Sequence, residues 1–147
     1  MPALRHRRED GAAALEFGLV APVIFMVIFG IIQYGYLYWS LQTAAATARE
    51  ATRQLIVGTD EACALANARQ MAEGPAVGTT APSATPVYRD GNGTVVAAPV
   101  DGGTVSVTVS FQTLDMGIPF LPVPDHGNIT QEVTNRVENV PAVPLTC

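Results

Sequence analysis

Read from its N-terminus, the chain changes its alternation of apolar and polar positions several times. Phe17 to Trp39 is a run of 23 residues without formal charge, with Gln33 as its one strongly polar interruption. At 1.5 Å per residue this run predicts about 35 Å of helix, enough to cross a hydrocarbon core of about 30 Å with some tilt. A buried core helix of a soluble protein is the rival reading, but charge-free runs of this length are rare there. From Ser40 to Val57 the pattern becomes amphipathic without a break. Leu41, Ala44, Ala45, Ala48, Ala51 and Leu55 recur at helical spacing, while Arg49, Glu50 and Arg53 fall on a wetter side. Gly58 is a natural stop. Residues 12–57 are therefore expected as one helix of 46 residues, about 69 Å long.

Beyond Gly58 the pattern is that of a small α+β domain. Thr59 or Asp60 can cap a second helix that runs to about Glu73 and ends at Gly74-Pro75. Residues 75–86, rich in Pro, Thr, Ala and Gly, read as an irregular connector. Strands are expected at Val87–Arg89 and Thr94–Ala98, joined by the turn Asp90-Gly91-Asn92-Gly93, then at Thr104–Thr113 and Ile129–Val137. Thr104–Phe111 alternates cleanly and puts Val105, Val107, Val109 and Phe111 on one buried face, expected to lie against the outer half of the long helix. The loop Leu114–Asn128 holds Pro119, Pro122 and Pro124 around Phe120-Leu121. It either packs back on the sheet or forms an apolar contact surface. The fold class is thus α+β, a transmembrane helix continued into a head with a short helix and an antiparallel sheet.

Charge gives the segment a direction. The chain has no lysine, and Arg5, Arg7 and Arg8 crowd the first ten residues with His6. No further arginine comes before Arg49, so the positive-inside rule puts the N-terminus in the cytoplasm and the head outside. Tyr34, Tyr36, Tyr38 and Trp39 gather at the far end, where amphipathic rings favour the membrane–water interface. After residue 11 five arginines face eleven acids, an acidic body that argues against nucleic-acid binding. Both cysteines, Cys63 and Cys147, would then be exported to an oxidising compartment. A pair between them would tie the C-terminal tail to the second helix, a closure that the chain-entropy model values at about 4–5 kcal/mol.

Two residues make no sense in a plain anchor. Glu16 sits at the mouth of the apolar run, where a carboxylate costs several kcal/mol unless paired, protonated or kept wet at the interface. Gly11 lies five residues ahead of it. A cut after Gly11 would leave Ala12 as a new terminal amine and Glu16 as the fifth mature residue.

This arrangement resembles type IV prepilins, with their short basic leader, glycine before the cut, glutamate at mature position five and apolar helix. The match extends through Gly11-Ala12-Ala13-Ala14-Leu15-Glu16-Phe17-Gly18-Leu19-Val20-Ala21-Pro22-Val23, Phe29-Gly30-Ile31-Ile32-Gln33-Tyr34-Gly35 and Ala46-Thr47-Ala48-Arg49-Glu50-Ala51-Thr52-Arg53. Together these resemble the N-terminal signature of TadE-like proteins, pseudopilins or minor pilins of the Tad (tight adherence, Flp) pilus machinery. The resemblance implies a leader 1–11, removed by a membrane-embedded prepilin peptidase between Gly11 and Ala12, a helix 12–57 and a head 58–147. It implies as partners the lipid bilayer, the major Flp-type pilin, other minor pilins and the pilus platform proteins. The mature subunit would sit in the cytoplasmic membrane as a single pass or join an extracellular pilus. In pilin-like assemblies the carboxylate corresponding to Glu16 faces the terminal amine of a neighbouring subunit, each charge offsetting the other's desolvation. A wet, snorkelling Glu16 is the plainer account.

Ala14, Gly18 and Ala21 put small side chains at i, i+4 and i+7, a surface on which another helix can pack closely. Pro22 removes the hydrogen bond to the Gly18 carbonyl and should loosen or kink the helix. The sequence carries no sign of catalysis or of a cofactor. Asp90-Gly91-Asn92-Gly93-Thr94 begins like a calcium loop, but Val95 stands where that loop needs glycine, so a hairpin turn is expected. His6 and His126 stand apart from other metal-ligating residues. Two rival readings remain: an uncleaved anchor displaying a small binding domain, and a secreted protein cut near Ala46. The apolar run is too long for an ordinary signal peptide.

Overall fold

The computed structural model describes the backbone of residues 3–140 and of Leu145, with side chains from Gly11 onward. Helix α1 runs without interruption from Ala3 to Ile56, so residues 3–11 belong to the same helix as the apolar run. The chain divides into two compact units, Met1–Gly35 and Tyr36–Cys147. In the first, α1 is the whole of the described structure, and it carries Pro22 without a break. Its large apolar residues face outward. Leu15, Leu19 and Ile31 are 74%, 73% and 69% exposed, as expected of a helix whose solvent is lipid. Gln33 is the exception, a buried and partnered side chain in an otherwise exposed stretch.

In the second unit, α1 ends in a C-cap dictated by Gly58. Its φ of 85° lets its N–H bond the Leu55 carbonyl and lets the Thr59 N–H reach the Gln54 carbonyl at 2.9 Å. These two bonds are the Schellman pattern, which satisfies carbonyls that the helix end leaves orphaned. Helix α2 (Glu61–Glu73) follows at once, with Asp60 as its N-cap accepting from the Cys63 N–H at 3.2 Å.

The strands are β1 (Ser83–Arg89), β2 (Val95–Val96), β3 (Thr104–Gln112) and β4 (Asn128–Arg136). They form one antiparallel sheet in the order β2-β1-β3-β4. Register pairs Ala84 with Val109, Pro86 with Val107 and Tyr88 with Val105, while Val107 faces Val133 and Phe111 faces Ile129. The inner face is therefore Ala84, Tyr88, Val105, Val107, Val109, Phe111 and Ile129, all buried. Ala44, Ala48, Ala51 and Leu55 of α1 and Ala64, Leu65, Ala68 and Ala72 of α2 complete the core. Alanine on both helices lets their backbones come close to the sheet.

One expectation needs correcting. Residues 75–86 are not connector throughout, because β1 begins at Ser83 and includes Pro86. Proline is allowed there because β2 pairs only with Tyr88 and Arg89. At Pro86 the edge of β1 is open, so the missing N–H removes no ladder bond. The turn before β2 forms as expected, with the Asp90 carboxylate accepting from Asn92 and Thr94 N–H groups at 2.9 and 2.8 Å. Leu114–Asn128 spans from β3 to β4, and its tip does not fold back on the sheet: Phe120 is 75% exposed.

Candidate functional site

The residues singled out for processing and helix packing all lie on the N-terminal part of α1. Gly11, Ala12, Ala14, Glu16 and Gly18 are exposed, Ala21 is half-buried, and Pro22 is exposed. With 3.6 residues per turn, Ala12 and Glu16 stand one above the other on one face, about 6 Å apart along the axis. Ala14, Gly18 and Ala21 share a face on the other side of the helix. A Cβ added at Gly11 or Gly18 would meet nothing within 4 Å, so neither glycine is required by contacts inside the chain. Phe25 and Phe29 stack one turn apart with ring centroids 6.3 Å apart, adding to the apolar cylinder.

Two structural devices hold the head. Ser40, buried, contacts the buried Thr113 hydroxyl at 2.6 Å and also donates to the Tyr36 carbonyl at 2.9 Å. Thr52 donates to the Ala48 carbonyl at 2.6 Å and to the Val133 carbonyl of β4 at 3.3 Å. Sequence reading missed these pins, since serine and threonine in a helix carry no mark of a distant partner. At the other end the tail returns, the Asp60 N–H donating to the Leu145 carbonyl and the Leu145 N–H donating to the Gly58 carbonyl at 2.9 and 2.7 Å. Cys63 is buried and disulfide-bonded, while Cys147 lies outside the described residues.

The charged groups of the head are few and local. Glu50 accepts from Arg53 at 2.7 and 2.9 Å, and this guanidinium, followed by the Gln54 amide, holds its carboxyl down to about 2. Burial, then the bond it donates to Glu61 at 2.7 Å, pushes the Tyr88 hydroxyl above the usual tyrosine range. A cleft of about 230 Å³ lies beside this pair, lined mainly by apolar groups such as Leu55, Ala97, Pro99 and Val140. No group of three metal-ligating side chains occurs among the described residues.

The cut near Ala46 loses ground on this geometry. Ala44 is fully buried in the head core and Ser40 meets Thr113, so removal of everything before Ala46 would take both from the part of α1 that lies on the sheet.

Within α1, Gly11–Ile56 is long and apolar enough to cross a membrane. Residues 11–53 match the family model described as TadE-like protein. Over that segment the chain is similar to TadE-like proteins. The matched stretch takes in Gly11, Ala12, Glu16 and the small-residue face, and it ends on the helix that walls the head core. The similarity falls on the same helix that is long and apolar enough to cross a membrane. No curated protein and no solved structure matches the chain.

Proposed function

We propose that the chain is the precursor of a minor pilin or pseudopilin of the Tad (Flp) pilus, matured by a prepilin peptidase that cuts between Gly11 and Ala12. The observation that carries this reading is the Gly11–Glu16 spacing at the start of the TadE-like segment, on a helix whose Gly11 and Gly18 no internal contact requires. Gly11 lies inside α1, so the peptidase must unwind that turn, and glycine lowers the local helical preference by about 1 kcal/mol relative to alanine. After the cut, the Ala12 amine and the Glu16 carboxylate stand at the end of an apolar helix. Neither ion is stable in lipid alone, and pairing between neighbouring subunits sets their axial register. The small face of Ala14, Gly18 and Ala21 lets a neighbouring helix approach while Glu16, on the other side, engages a different neighbour.

The arginines before Gly11 hold the N-terminus in the cytoplasm and the head on the outer side of the inner membrane. The role is structural: the subunit acts through helix packing with the major pilin, other minor pilins and the assembly platform, without catalysis or cofactor. Cys63 pairs with Cys147, in keeping with Leu145 lying hydrogen-bonded beside the start of α2. Intact-mass measurement of the cellular protein tests the reading. Loss of residues 1–11 is expected. A full-length or Met-trimmed chain would instead support the uncleaved anchor.

A further inference from the structure

Resting on the membrane-anchor reading, we infer that the loop between β3 and β4 is a second membrane contact, its Phe120 tip entering the outer-leaflet interface beside the point where α1 leaves the bilayer. Two contacts fix where the loop hangs. The Ser40 and Thr113 hydroxyls meet at 2.6 Å, and Thr52 donates to Val133, the register partner of Val107. From Ser40 to Thr52 the helix rises about 18 Å. From Val107 to Thr113 an extended chain covers about 20 Å. The two spans match, so β3 runs alongside α1 in the opposite sense and delivers the chain at Thr113 to the level of Ser40. Tyr36 and Trp39, edge-to-face with centroids 5.2 Å apart, lie one turn and one residue before Ser40. That is the aromatic level at which the span ends.

Past Thr113 the loop is closed at its base. The Thr113 N–H donates to the Gly127 carbonyl at 2.8 Å, and Gly127, at φ 79°, has no room for a side chain beside the Thr113 carbonyl. A turn closed by the Leu121 N–H on the Ile118 carbonyl at 3.0 Å carries Pro119 and Phe120 at its tip. Phe120 is 75% exposed, among the most exposed large apolar residues outside α1. The acidic and imidazole side chains of the loop, Asp115, Asp125 and His126, are all exposed and set back from the tip, where headgroups and water can reach them. An apolar tip with polar shoulders, next to a helix leaving lipid, suits insertion to the headgroup–acyl boundary. Such a foot would fix how the head stands on the membrane before assembly.

Trp39 is the one tryptophan of the chain, which gives the experiment its control. The full-length protein and a Trp39→Phe/Phe120→Trp double variant are each reconstituted in phosphatidylcholine vesicles, plain or with bromine at shallow or deep acyl positions. The double variant is expected to emit to the blue of water-exposed tryptophan and to be quenched more by shallow than by deep bromines, at a depth of about 5–10 Å. Water-like emission untouched by bromine would overturn the inference. So would blue emission without quenching, which would mean that protein, such as a second copy, covers the tip. In both cases a quenched Trp39 in the unmodified protein leaves the anchor reading standing. Lack of quenching in both proteins would remove the anchor as well.

Discussion

In the first unit, α1 turns its largest apolar side chains outward, with Leu15, Phe17 and Leu19 between 67% and 74% exposed. In the second, the residues of the same helix that leave the surface are Ser40, Ala44, Thr47, Ala48, Ala51, Thr52 and Leu55. Hydrophobicity alone would rank these two stretches the wrong way round for burial. Size explains them better. Where the surroundings are lipid, large side chains cost nothing outside and no internal core asks for them. Where the helix must lie on a valine sheet, alanine gives close backbone approach, and hydroxyls find defined partners across the interface.

The largest effect expected concerns the first unit. Gly11→Leu should abolish maturation and leave only chain retaining residues 1–11, as intact mass would show. Normal processing of that variant would remove the prepilin assignment. Next comes the staple of the second unit: Cys63→Ser should lower the unfolding free energy of the head by about 2–4 kcal/mol. A melting curve unchanged from that of the oxidised parent would show that the bond adds little.

The comparison between the two stretches is sharpened by adding bulk to each. Ala48→Leu should destabilise the head by about 1–3 kcal/mol through overpacking, whereas Val27→Leu should leave its melting unchanged. Equal shifts would break the contrast. A smaller effect is expected at the upper pin. Thr113→Val removes a hydroxyl whose partner Ser40 keeps its bond to Tyr36, so the loss should be about 1 kcal/mol in denaturant titration.

The smallest effect is one of pH. The Tyr88 hydroxyl ionises less readily in the folded head than at the ordinary value of 10.0. Its contribution is therefore complete below pH 10 and is lost as pH climbs above it, because the unfolded chain gives up that proton first. Tyr88→Phe should flatten this alkaline decline in a melting series between neutral and strongly alkaline pH. An unaltered slope would place the decline elsewhere.

Much of this was written along the chain. Periodicity marked α1 to within a residue of its C-terminal end, Gly58 supplied the stop, Asp60 the cap, and the valine alternation the inner face of β3. These features are legible because each depends on neighbours a few residues away. The Gly11–Glu16 spacing is of the same kind. The start of β1 was hidden because Pro86 argues locally against a strand, and only the shortness of β2 leaves an open edge that tolerates it.

What tertiary structure alone decided is where distant surfaces meet. No local signal tells Ser40 that it will touch Thr113, or Thr52 that it will reach Val133, since side-chain hydrogen bonds between remote segments leave no periodic trace. The same holds for Phe120, whose exposure its own neighbours in the chain do not announce. By itself the sequence determined which parts are helix, strand and apolar span, through patterns set by backbone geometry. Folding determined which of those parts face each other, because that choice belongs to packing and to the closure of long loops.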